Sequence, residues 1–283
     1  MYDVVIVGSG PAGVSAALYL KRAKKDILLI SKGEGALKKA DKIENYYGIE
    51  RITGDELYKT GIRQVERLGV PIENDEVTNI SFEQHFTITT VNSEFEAKNV
   101  IIATGTNRVT LNIKGVKEFE GKGVSYCAIC DAFFYKDKDV AVVGDGNYAI
   151  HEANQLKNVA NSVTILTNGS KMVQNRDAAD FDIEEEKIRE FRGDKSIEEV
   201  EFDNNKKKKI DGVFIAIGTA TSTDLARKIG ALVKNNNIVV NENMETTVKG
   251  LYACGDCTGG LLQVNKAVYE GAKAAVSIIS NKE

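Results

Sequence analysis

Residues 2–20 read YDVVIVGSGPAGVSAALYL, and this stretch decides the fold of the first part of the chain. Its opening, YDVVIV, is a short apolar run rich in β-branched residues and predicts a strand, whereas its alanine-rich end predicts a helix. Between them, Gly8 permits a tight turn and Gly10 lets the backbone approach a pyrophosphate. Gly13 allows the helix to pack closely on the strand. Together these features predict a dinucleotide-binding turn at a helix N-terminus.

The same pattern occurs a second time in the middle of the chain. Residues 140–143 read VAVV and residues 144–149 read GDGNYA, which again predicts a strand, a glycine-rich turn and a helix. A chain of 283 residues is long for a single hydrophobic core. We therefore expect two α/β domains, each built around one of the two turns.

A cysteine pair lies between the two glycine-rich turns. Cys127 and Cys130 are separated by two residues, and Asp131 follows directly. At the start of a helix such a pair can close a small disulfide ring, and the helix dipole stabilises its thiolate. A second pair, Cys254 and Cys257, lies too far along the chain to complete a compact zinc site. We therefore expect a redox dithiol, no metal, and a structural role for the second pair.

The composition argues against several classes of function. The formal net charge of -4 speaks against a nucleic-acid-binding surface, which would be basic. No apolar run reaches the roughly 18 residues that a membrane span requires, and the first residues show no cationic leader. Four cysteines in two close pairs suit a reducing compartment better than a secreted disulfide scaffold. We expect a cytoplasmic protein without nucleic-acid or membrane partners.

Four further segments carry a family resemblance. They are ENYYG at residues 44–48, VIIATG at 100–105, GLYACGD at 250–256 and LQV at 262–264. Together with CAICD at 127–131, they resemble the low-molecular-weight thioredoxin reductase family over nearly the whole chain. This resemblance implies an α/β fold of two Rossmann-like, three-layer ββα nucleotide-binding domains, the second inserted into the first.

The resemblance also implies a domain division and a cofactor. Residues 1–108 and 244–283 would form a discontinuous FAD-binding domain, and residues 109–243 an inserted domain with the redox disulfide. Two short connections between such domains act as hinges in the family, and here they would be Asn107 to Lys114 and Val240 to Thr246. The residues that would contact FAD are Gly8, Gly10, Pro11, Ala12, Gly13, Asn45, Ala103, Thr104, Gly105, Gly255, Asp256, Gln263 and Val264.

The resemblance gives each redox residue a role. Cys130 would be the sulfur nearest the flavin, Cys127 would attack the disulfide of thioredoxin, and Asp131 would move a proton during the exchange. A glutamine that contacts the flavin in the family is replaced by Ala36, but we still expect FAD to bind. The family also implies a homodimer that forms through the FAD domain.

The second turn departs from the family pattern for NADPH. Asp145 places a carboxylate inside the turn, where it would repel a pyrophosphate, and Tyr148 crowds a position that is usually small. After the strand 163–166, the family has a histidine and arginines that bind the 2′-phosphate, whereas this chain reads TNGSK at 167–171. Bidentate guanidinium groups are the usual partners of a phosphate, so we expect NADPH not to bind. In this respect the chain resembles the ferredoxin-dependent flavin thioredoxin reductases.

Reduced ferredoxin is therefore the expected electron donor, and thioredoxin the expected substrate. Two alternatives stay open at this point. In the first, the protein uses NADPH through a rebuilt phosphate site that includes Lys171 or Arg176. In the second, it is a flavin-binding redox sensor or carrier without turnover. Basic residues that could steer an acidic ferredoxin are Lys21, Arg22, Lys24, Lys25, Lys38 and Lys39.

Overall fold

A computed structural model describes residues 1–33, 35–106 and 111–281 of the chain. The chain divides into two compact units. Unit 1 combines Met1–Asn107 with Thr221–Glu283, and unit 2 is Arg108–Ala220. The polypeptide therefore leaves unit 1, completes unit 2 and returns to unit 1.

The regular elements alternate between strands and helices around both glycine turns. The helices are α1 (Pro11–Arg22), α2 (Gly54–Arg67), α3 (Ala128–Asp131), α4 (Asn147–Lys157), α5 (Ser222–Lys228) and α6 (Val264–Ser280). The strands are β1 (Tyr2–Val7), β2 (Ile27–Ser31), β3 (Ile72–Asn74), β4 (Val77–Phe82), β5 (Phe86–Thr90), β6 (Glu94–Ile102), β7 (Val124–Ser125), β8 (Asp139–Val143), β9 (Ser162–Leu166), β10 (Asp182–Glu184), β11 (Ile188–Gly193), β12 (Ile197–Phe202), β13 (Lys207–Lys209), β14 (Gly212–Ile215), β15 (Val233–Lys234), β16 (Asn237–Ile238) and β17 (Leu251–Ala253). Short 3₁₀ turns cover Ala36–Lys39, Ala132–Tyr135, Arg176–Asp180 and Asp256–Thr258. In the part of the chain that the structure describes, no helix is long and apolar enough to cross a membrane.

Unit 1 is built on a seven-stranded mixed sheet. Its strand order is β3-β2-β1-β6-β5-β4, and β17 pairs with β6 off this path. Strands β1, β2, β3, β6 and β17 are parallel, whereas β4 and β5 pair antiparallel. In this register Ile6 of β1 pairs with Leu29 of β2 and Ile101 of β6. Because the carboxyl ends of parallel strands meet at one edge of a sheet, the turns after β1, β6 and β17 converge.

Helices α1 and α6 pack against each other in unit 1 through small residues. Ala17 of α1 and Ala274 of α6 are fully buried in one hydrophobic cluster. The two backbones touch near the start of α1, because a Cβ atom built on Gly271 would lie 2.0 Å from the Ala12 carbonyl oxygen. This contact joins the two ends of the chain beside the first glycine turn.

Unit 2 contains a five-stranded parallel sheet in the order β10-β9-β8-β14-β7. Strands β11, β12 and β13 form a separate antiparallel sheet. Val143 and Val213 of the parallel sheet share one buried cluster with Phe191 and Phe202 of the antiparallel sheet. The predicted α/β fold, with a second Rossmann-like domain inserted into the first, is confirmed.

The second boundary between the units differs from the sequence-based boundary at residues 243 and 244. Residues 221–243 belong to unit 1. Helix α5 explains the difference, because the Ser222 hydroxyl donates to the Gly105 carbonyl oxygen at 3.1 Å. The Lys228 ammonium likewise donates to the Thr78 carbonyl oxygen at 3.1 Å. These contacts depend on tertiary packing and leave no local mark in the sequence.

The two predicted hinges have different outcomes. Val240 to Thr246 lies inside unit 1, where Met244 is buried in the core. This segment is therefore packed within one unit and does not lie at the boundary between the two. Of the other predicted hinge, Asn107 to Lys114, residues 107–110 lie outside the described residues.

Candidate functional site

The glycine turn after β1 leaves one face of its backbone open. A Cβ atom built on Gly8 would lie 2.4 Å from the Ala103 carbonyl oxygen, and one built on Gly13 would lie 1.9 Å from the Gly8 carbonyl oxygen. Both positions therefore require glycine, because the turn touches the segment after β6 at one of them and α1 at the other. At Gly10, by contrast, no described atom lies within 4 Å of such a Cβ. A pyrophosphate can approach the backbone there, next to the first amides of α1.

The C-terminal part of the chain meets this turn. The Cys254 amide donates to the Ile102 carbonyl oxygen at 3.0 Å, which continues the pairing of β17 with β6. Gly255 follows with a φ of 84°, and a Cβ atom built on it would lie 3.0 Å from the Ala12 Cβ atom. Asp256 therefore lies close to the N-terminus of α1, and burial raises the pKa of its carboxyl group.

The turn that follows β6 contains a buried oxygen atom without a partner. The Thr104 hydroxyl is buried, and among the residues that the structure describes it has no hydrogen-bond partner. Leaving such a group unpaired costs about 1–3 kcal/mol unless a ligand or water binds to it. Ala103 and Gly105 flank it at the same edge of the sheet. The open face at Gly10 and this unpaired hydroxyl fit a bound dinucleotide such as FAD.

Two residues that the family resemblance places near the flavin lie together. The Asn45 side-chain amide donates to Gln263 Oε1 at 2.9 Å, and the Asn265 side-chain amide donates to the Asn45 carbonyl oxygen at 3.0 Å. Gln263 directly precedes Val264, the first residue of α6. These hydrogen bonds connect an N-terminal loop of unit 1 to the start of its C-terminal helix.

The end of β2 carries hydroxyl groups where dinucleotide-binding folds usually place an acidic residue. The Ser31 and Ser9 hydroxyl oxygens lie 2.5 Å apart, and the Ser9 hydroxyl lies 3.1 Å from the Tyr58 hydroxyl. Glu76, which follows the neighbouring strand β3, brings a carboxylate to this edge. Its Oε2 atom lies 2.5 Å from the Lys32 Nζ atom. The other Glu76 oxygen is buried and has no hydrogen-bond partner within the described ranges. The sequence does not single out Glu76, because this residue follows β3 and not β2.

In unit 2, Cys127 and Cys130 form a disulfide at the start of α3. Their Cα atoms are 5.3 Å apart, and the Cys130 amide donates to Cys127 Sγ at 3.2 Å. Cys127 is buried, with an exposed fraction of 5%, whereas Cys130 is exposed. The predicted pair is therefore assembled as a disulfide, and Cys130 is its more accessible member.

A serine links Asp131 to the disulfide. The Ser125 hydroxyl donates to Asp131 Oδ2 at 2.6 Å, and it accepts a hydrogen bond from the Cys127 amide at 3.1 Å. Ser125 is the last residue of β7, at one edge of the parallel sheet. The sequence does not reveal this contact, because it depends on how the chain bends between β7 and α3.

A buried glutamate of α4 holds the start of α3. The Glu152 carboxylate accepts a hydrogen bond from the Ala128 amide at 2.8 Å. Because α4 begins at the second glycine turn, this contact connects that turn to the dithiol. The signal in the sequence is a carboxylate on the same helix face as Ala149 and Leu156, which are also buried.

Exposed apolar side chains lie next to the disulfide in the chain. Phe133 is 80% exposed and Phe134 is 67% exposed, and their rings pack edge to face with centroids 6.2 Å apart. Ile129, between the two cysteines, is also exposed. We refer to Ile129, Phe133 and Phe134 together as the aromatic patch, after its two phenylalanines. Exposed apolar groups of this kind are typical of a surface that contacts another protein.

A segment that follows β9 hydrogen-bonds to the second glycine turn and to the start of α4. The Val173 amide donates to the Asp145 carbonyl oxygen at 2.9 Å, and the Asn175 side-chain amide donates to Asn147 Oδ1 at 2.9 Å. We refer to residues 172–175 as the strap. The strap engages polar groups at the turn and at the start of α4, the place where a dinucleotide phosphate binds in this type of fold.

The rest of the second turn partly follows the sequence-based prediction. Gly144 repeats the geometry of the first turn, because a Cβ atom built on it would lie 2.1 Å from the Ala216 carbonyl oxygen. Tyr148 is the residue that we predict to crowd the turn. Its side chain is almost completely buried, so its ring belongs to the interior of unit 2.

The loop after β9 offers ammonium groups but no guanidinium group. Residues 167–171 contain no arginine. Lys171 is exposed, and the Lys187 side chain lies beside Gly169, with its Cβ atom 3.5 Å from a Cβ built there. Arg176 is exposed and begins a 3₁₀ turn farther along the chain. The bidentate phosphate partner that arginine would provide is therefore absent from the loop itself.

Most basic residues predicted to steer a ferredoxin lie far from the first glycine turn. Lys21, Arg22, Lys24 and Lys25 lie at or just beyond the C-terminal end of α1. A helix of 12 residues spans about 18 Å, so these charges and the turn are at opposite ends of α1. Lys38 and Lys39 belong instead to the 3₁₀ turn after β2.

The second cysteine pair is fully buried. The Cys257 thiol donates to the Cys254 carbonyl oxygen at 3.3 Å. Burial raises the pKa of the Cys254 thiol well above its usual range and that of the Cys257 thiol to about 12. Both thiols are therefore protonated near neutral pH and poor nucleophiles, which agrees with the structural role that we predict for them.

Comparisons with known proteins agree with this arrangement. The family model described as pyridine nucleotide-disulphide oxidoreductase matches residues 2–271. The thioredoxin reductase of Aquifex aeolicus is 35% identical to this chain, over 98% of this chain and 92% of its own length. The predicted resemblance to thioredoxin reductases is thereby confirmed at the level of the sequence.

Solved structures give the same result. The atypical thioredoxin reductase TRi from Desulfovibrio vulgaris Hildenborough is 36% identical, with a TM-score of 0.94 over 99% of this chain and 97% of that chain. A ferredoxin-flavin thioredoxin reductase from Clostridium acetobutylicum is 34% identical, with a TM-score of 0.73 over 98% of this chain and 96% of that chain. The chain therefore belongs to the pyridine nucleotide-disulphide oxidoreductase family, within its thioredoxin reductase group.

Proposed function

We propose that this protein is an FAD-dependent thioredoxin reductase that passes electrons through the Cys127–Cys130 disulfide to thioredoxin. The observation that carries the proposal is that disulfide itself, with Cys130 exposed and the aromatic patch around it in the chain. A disulfide next to exposed apolar side chains suits a protein substrate. The relatives described above are named thioredoxin reductases, which supports this choice of substrate.

FAD would be held by unit 1. Its pyrophosphate would lie against Gly10 and the first amides of α1. By family resemblance, Asp256 would bind the ribityl chain, and Asn45 and Gln263 would lie near the flavin ring. Bound FAD supplies the conversion between single-electron and two-electron transfer that a disulfide requires.

The dithiol would pass the electron pair to thioredoxin in two exchanges. After reduction, the Cys127 thiolate attacks one sulfur of the thioredoxin disulfide, and the other thioredoxin sulfur leaves as a thiolate. The Cys130 thiolate then attacks the Cys127 sulfur, which re-forms the disulfide and releases reduced thioredoxin. Asp131, held by Ser125, would give a proton to a departing sulfur, and solvent would give the second. Because Cys127 is buried in the disulfide form, we expect it to become accessible on reduction.

We propose reduced ferredoxin as the electron donor. Three features favour it over NADPH: the strap that is hydrogen-bonded to the second turn and to Asn147, the Asp145 carboxylate in that turn, and a 167–171 loop without arginine. One solved relative is named a ferredoxin-flavin thioredoxin reductase. Ferredoxins near roughly -400 mV and thioredoxin near roughly -270 mV differ by about 130 mV, which is worth ~6 kcal/mol for two electrons. The transfer would therefore be favourable.

NADPH is the second candidate donor. Lys171 is the last residue of the 167–171 loop, and the Lys187 side chain lies beside that loop. Both bring positive charge to the region where a 2′-phosphate would be bound. Single ammonium groups lack the bidentate geometry of arginine. The two lysines therefore support NADPH as the donor less strongly than the strap argues against it. A flavin-binding redox sensor or carrier is the third candidate, and it differs from the first only in having no turnover.

Anaerobic mixing of the purified flavoprotein with each donor tests the proposal. Reduced ferredoxin should bleach the flavin absorption band rapidly, whereas excess NADPH or NADH should leave it unchanged. Rapid bleaching by either nucleotide would contradict ferredoxin as the donor. A purified protein that binds no FAD would contradict the flavoenzyme altogether. Repeated turnover of thioredoxin with ferredoxin and its reducing system would exclude the sensor or carrier.

The family resemblance also supports a homodimer that forms through unit 1. Sedimentation velocity of the FAD-bound protein should therefore give the mass of two chains, and a single-chain mass would contradict the homodimer.

The proposed dithiol chemistry also suits the reducing conditions of the cytoplasm.

A further inference from the structure

A buried glutamate of α6 contacts the loop that follows β17. Glu270 is 9% exposed, and its Oε2 atom accepts hydrogen bonds from the Gly255 amide at 2.8 Å and the Lys266 ammonium at 3.0 Å. The Thr258 hydroxyl lies 2.9 Å from the same oxygen. Three neighbours of this kind fix the orientation of a buried carboxylate. The loss of any one of them would leave the buried charge less well paired.

The Lys266 ammonium completes this cluster. It donates to the Gly255 carbonyl oxygen at 2.9 Å and to the Thr258 hydroxyl at 3.0 Å. Its side chain is only 16% exposed, which is unusual for lysine. Both backbone groups of Gly255 are therefore fixed by α6: the amide by Glu270 and the carbonyl by Lys266.

The position of Lys266 is unfavourable for α6 itself. The helix begins at Val264, so Lys266 lies in its first turn. The positive end of the helix dipole disfavours a cation there. The stabilisation that this lysine provides must therefore come from Glu270 and from the loop that both residues contact.

The loop fixed in this way touches the first glycine turn. Gly255 approaches Ala12, the second residue of α1, and Asp256 follows directly. Gly271, the residue after Glu270, also meets Ala12, at 2.0 Å between a built Cβ atom and the carbonyl oxygen. A shift of the loop would therefore move Asp256 relative to the start of α1.

We propose that Lys266 and Glu270 form a loop clamp that holds Asp256 in position to bind FAD. They are positioning residues, because they act through the loop of residues 255–258 and not on the cofactor directly. The two residues are four positions apart and therefore lie on one face of α6. The inference rests on the proposed function, since it requires unit 1 to bind FAD.

Replacement of either clamp residue tests the inference through FAD affinity and not through turnover. Lys266→Met and Glu270→Gln remove the charge and keep the length of the side chain. We expect the apo form of each variant to bind FAD roughly tenfold to a hundredfold more weakly than the wild-type protein in a fluorescence titration.

A matched control lies on α2. Lys59 pairs with Asp55 at 2.7 Å with the same spacing of four residues, but its side chain is 56% exposed. An exposed pair of this kind contributes little to stability. Lys59→Met should therefore bind FAD with the affinity of the wild-type protein.

Thermal unfolding separates positioning from a general loss of stability. If the clamp holds the site, a fixed concentration of FAD should raise the Tm of the clamp variants less than that of the wild-type protein. Thr258→Val removes one hydroxyl and keeps the shape of the side chain, so it tests the clamp even where Lys266→Met does not fold. It should weaken FAD binding roughly severalfold.

Two kinds of failure can be distinguished. Wild-type FAD affinity in the folded clamp variants and in Thr258→Val would overturn the clamp and leave the proposed function intact. A wild-type protein that binds no FAD would overturn the proposed function and the clamp together.

Discussion

The Ser125 hydroxyl donates to Asp131 Oδ2 at 2.6 Å, and the same hydroxyl accepts from the Cys127 amide at 3.1 Å. Ser125 therefore fixes the position of the carboxylate relative to the start of the dithiol turn. General acid–base groups contribute about 10²–10⁴ to a rate, and this contribution depends on their orientation. Because Asp131 is proposed to move a proton during disulfide exchange, Ser125 should affect the rate of that exchange.

Loss of the Ser125 hydroxyl should slow thioredoxin reduction. In Ser125→Ala the Asp131 carboxylate loses a hydrogen-bond donor, and we expect the rate of disulfide exchange to fall about tenfold. Asp131→Asn removes the acid itself and should lower the rate by about 10² or more. Stopped-flow measurement of thioredoxin reduction by the pre-reduced enzyme would give both values.

Ser162→Ala is the matched control for this prediction. The Ser162 hydroxyl donates to Asp139 Oδ1 at the same distance of 2.6 Å, in the same unit but away from the disulfide in the chain. This variant should exchange at the wild-type rate. An unchanged rate in Ser125→Ala would show that the serine is not needed to orient Asp131.

Cys130→Ser should retain FAD and stop the reduction of thioredoxin. Without Cys130, the mixed disulfide between Cys127 and thioredoxin cannot be resolved by the enzyme. The visible spectrum should still show bound flavin, because the proposed FAD contacts all lie in unit 1. Persistent activity in Cys130→Ser would show that Cys130 is not needed to re-form the disulfide, and it would contradict the dithiol mechanism.

Cys127→Ser is the companion variant. On a non-reducing gel, Cys130→Ser should form a covalent complex with thioredoxin, whereas Cys127→Ser should form none. A complex with Cys127→Ser alone would reverse the assignment, and the greater exposure of Cys130 makes this comparison necessary.

Truncation of the aromatic patch should weaken the enzyme for its protein substrate. Burial of an aromatic ring in an interface contributes about 1.5–3 kcal/mol, so Phe133→Ala should raise KM for thioredoxin roughly tenfold to a hundredfold. The rate with a small disulfide reagent should not change. Phe82→Ala, at an exposed phenylalanine of β4 in unit 1, is the control. An unchanged KM in Phe133→Ala would place thioredoxin elsewhere.

The parts of the site that the sequence predicts well are those formed by neighbouring residues. The strand Tyr2–Val7 and the roles of Gly8 and Gly13 are confirmed, because the turn geometry is set within a few residues. The Cys127–Cys130 disulfide is predicted for the same reason, since two intervening residues bring the sulfurs together at a helix start.

Most contacts missed by the sequence connect residues that are distant in the chain, although Ser125 and Asp131 are only six positions apart. Glu152 reaches Ala128 from another helix, and Lys266 is placed by the loop it contacts and not by helix propensity. The strap is also invisible in the sequence, because Val173 meets Asp145 only when β9 has paired with β8. Such contacts depend on packing between elements, for which spacing in the sequence gives no measure.

Alkaline pH should destabilise the fold through the buried cysteines. The pKa of the Cys257 thiol rises from 9.0 to about 12 on folding, because burial disfavours the thiolate. The unfolded chain therefore loses this proton first, so the stabilisation is complete below about pH 9 and is lost as pH rises towards 12. The free energy of unfolding should fall by up to about 1.4 kcal/mol per pH unit for each such thiol.

Chemical denaturation between pH 7 and pH 11, an interval of roughly four units, measures this effect. Cys257→Ala removes one titrating group, so its stability should fall less steeply with pH than that of the wild-type protein. Equal slopes for the two proteins would contradict the raised pKa of Cys257. The variant should keep FAD, since the sulfur itself has no proposed contact with the cofactor.

Gly10→Ala should separate cofactor binding from folding. No described atom lies within 4 Å of a Cβ built on Gly10, and its φ of -68° is accessible to alanine, so the apo protein should fold with a near wild-type Tm. The added methyl group would occupy the space through which a pyrophosphate approaches the backbone. We therefore expect FAD affinity to fall by about 10² or more, measured by fluorescence titration.

Gly13→Ala should instead destabilise the apo protein itself, because its Cβ would lie 1.9 Å from the Gly8 carbonyl oxygen. Wild-type FAD affinity in Gly10→Ala would mean that the pyrophosphate does not bind at this turn.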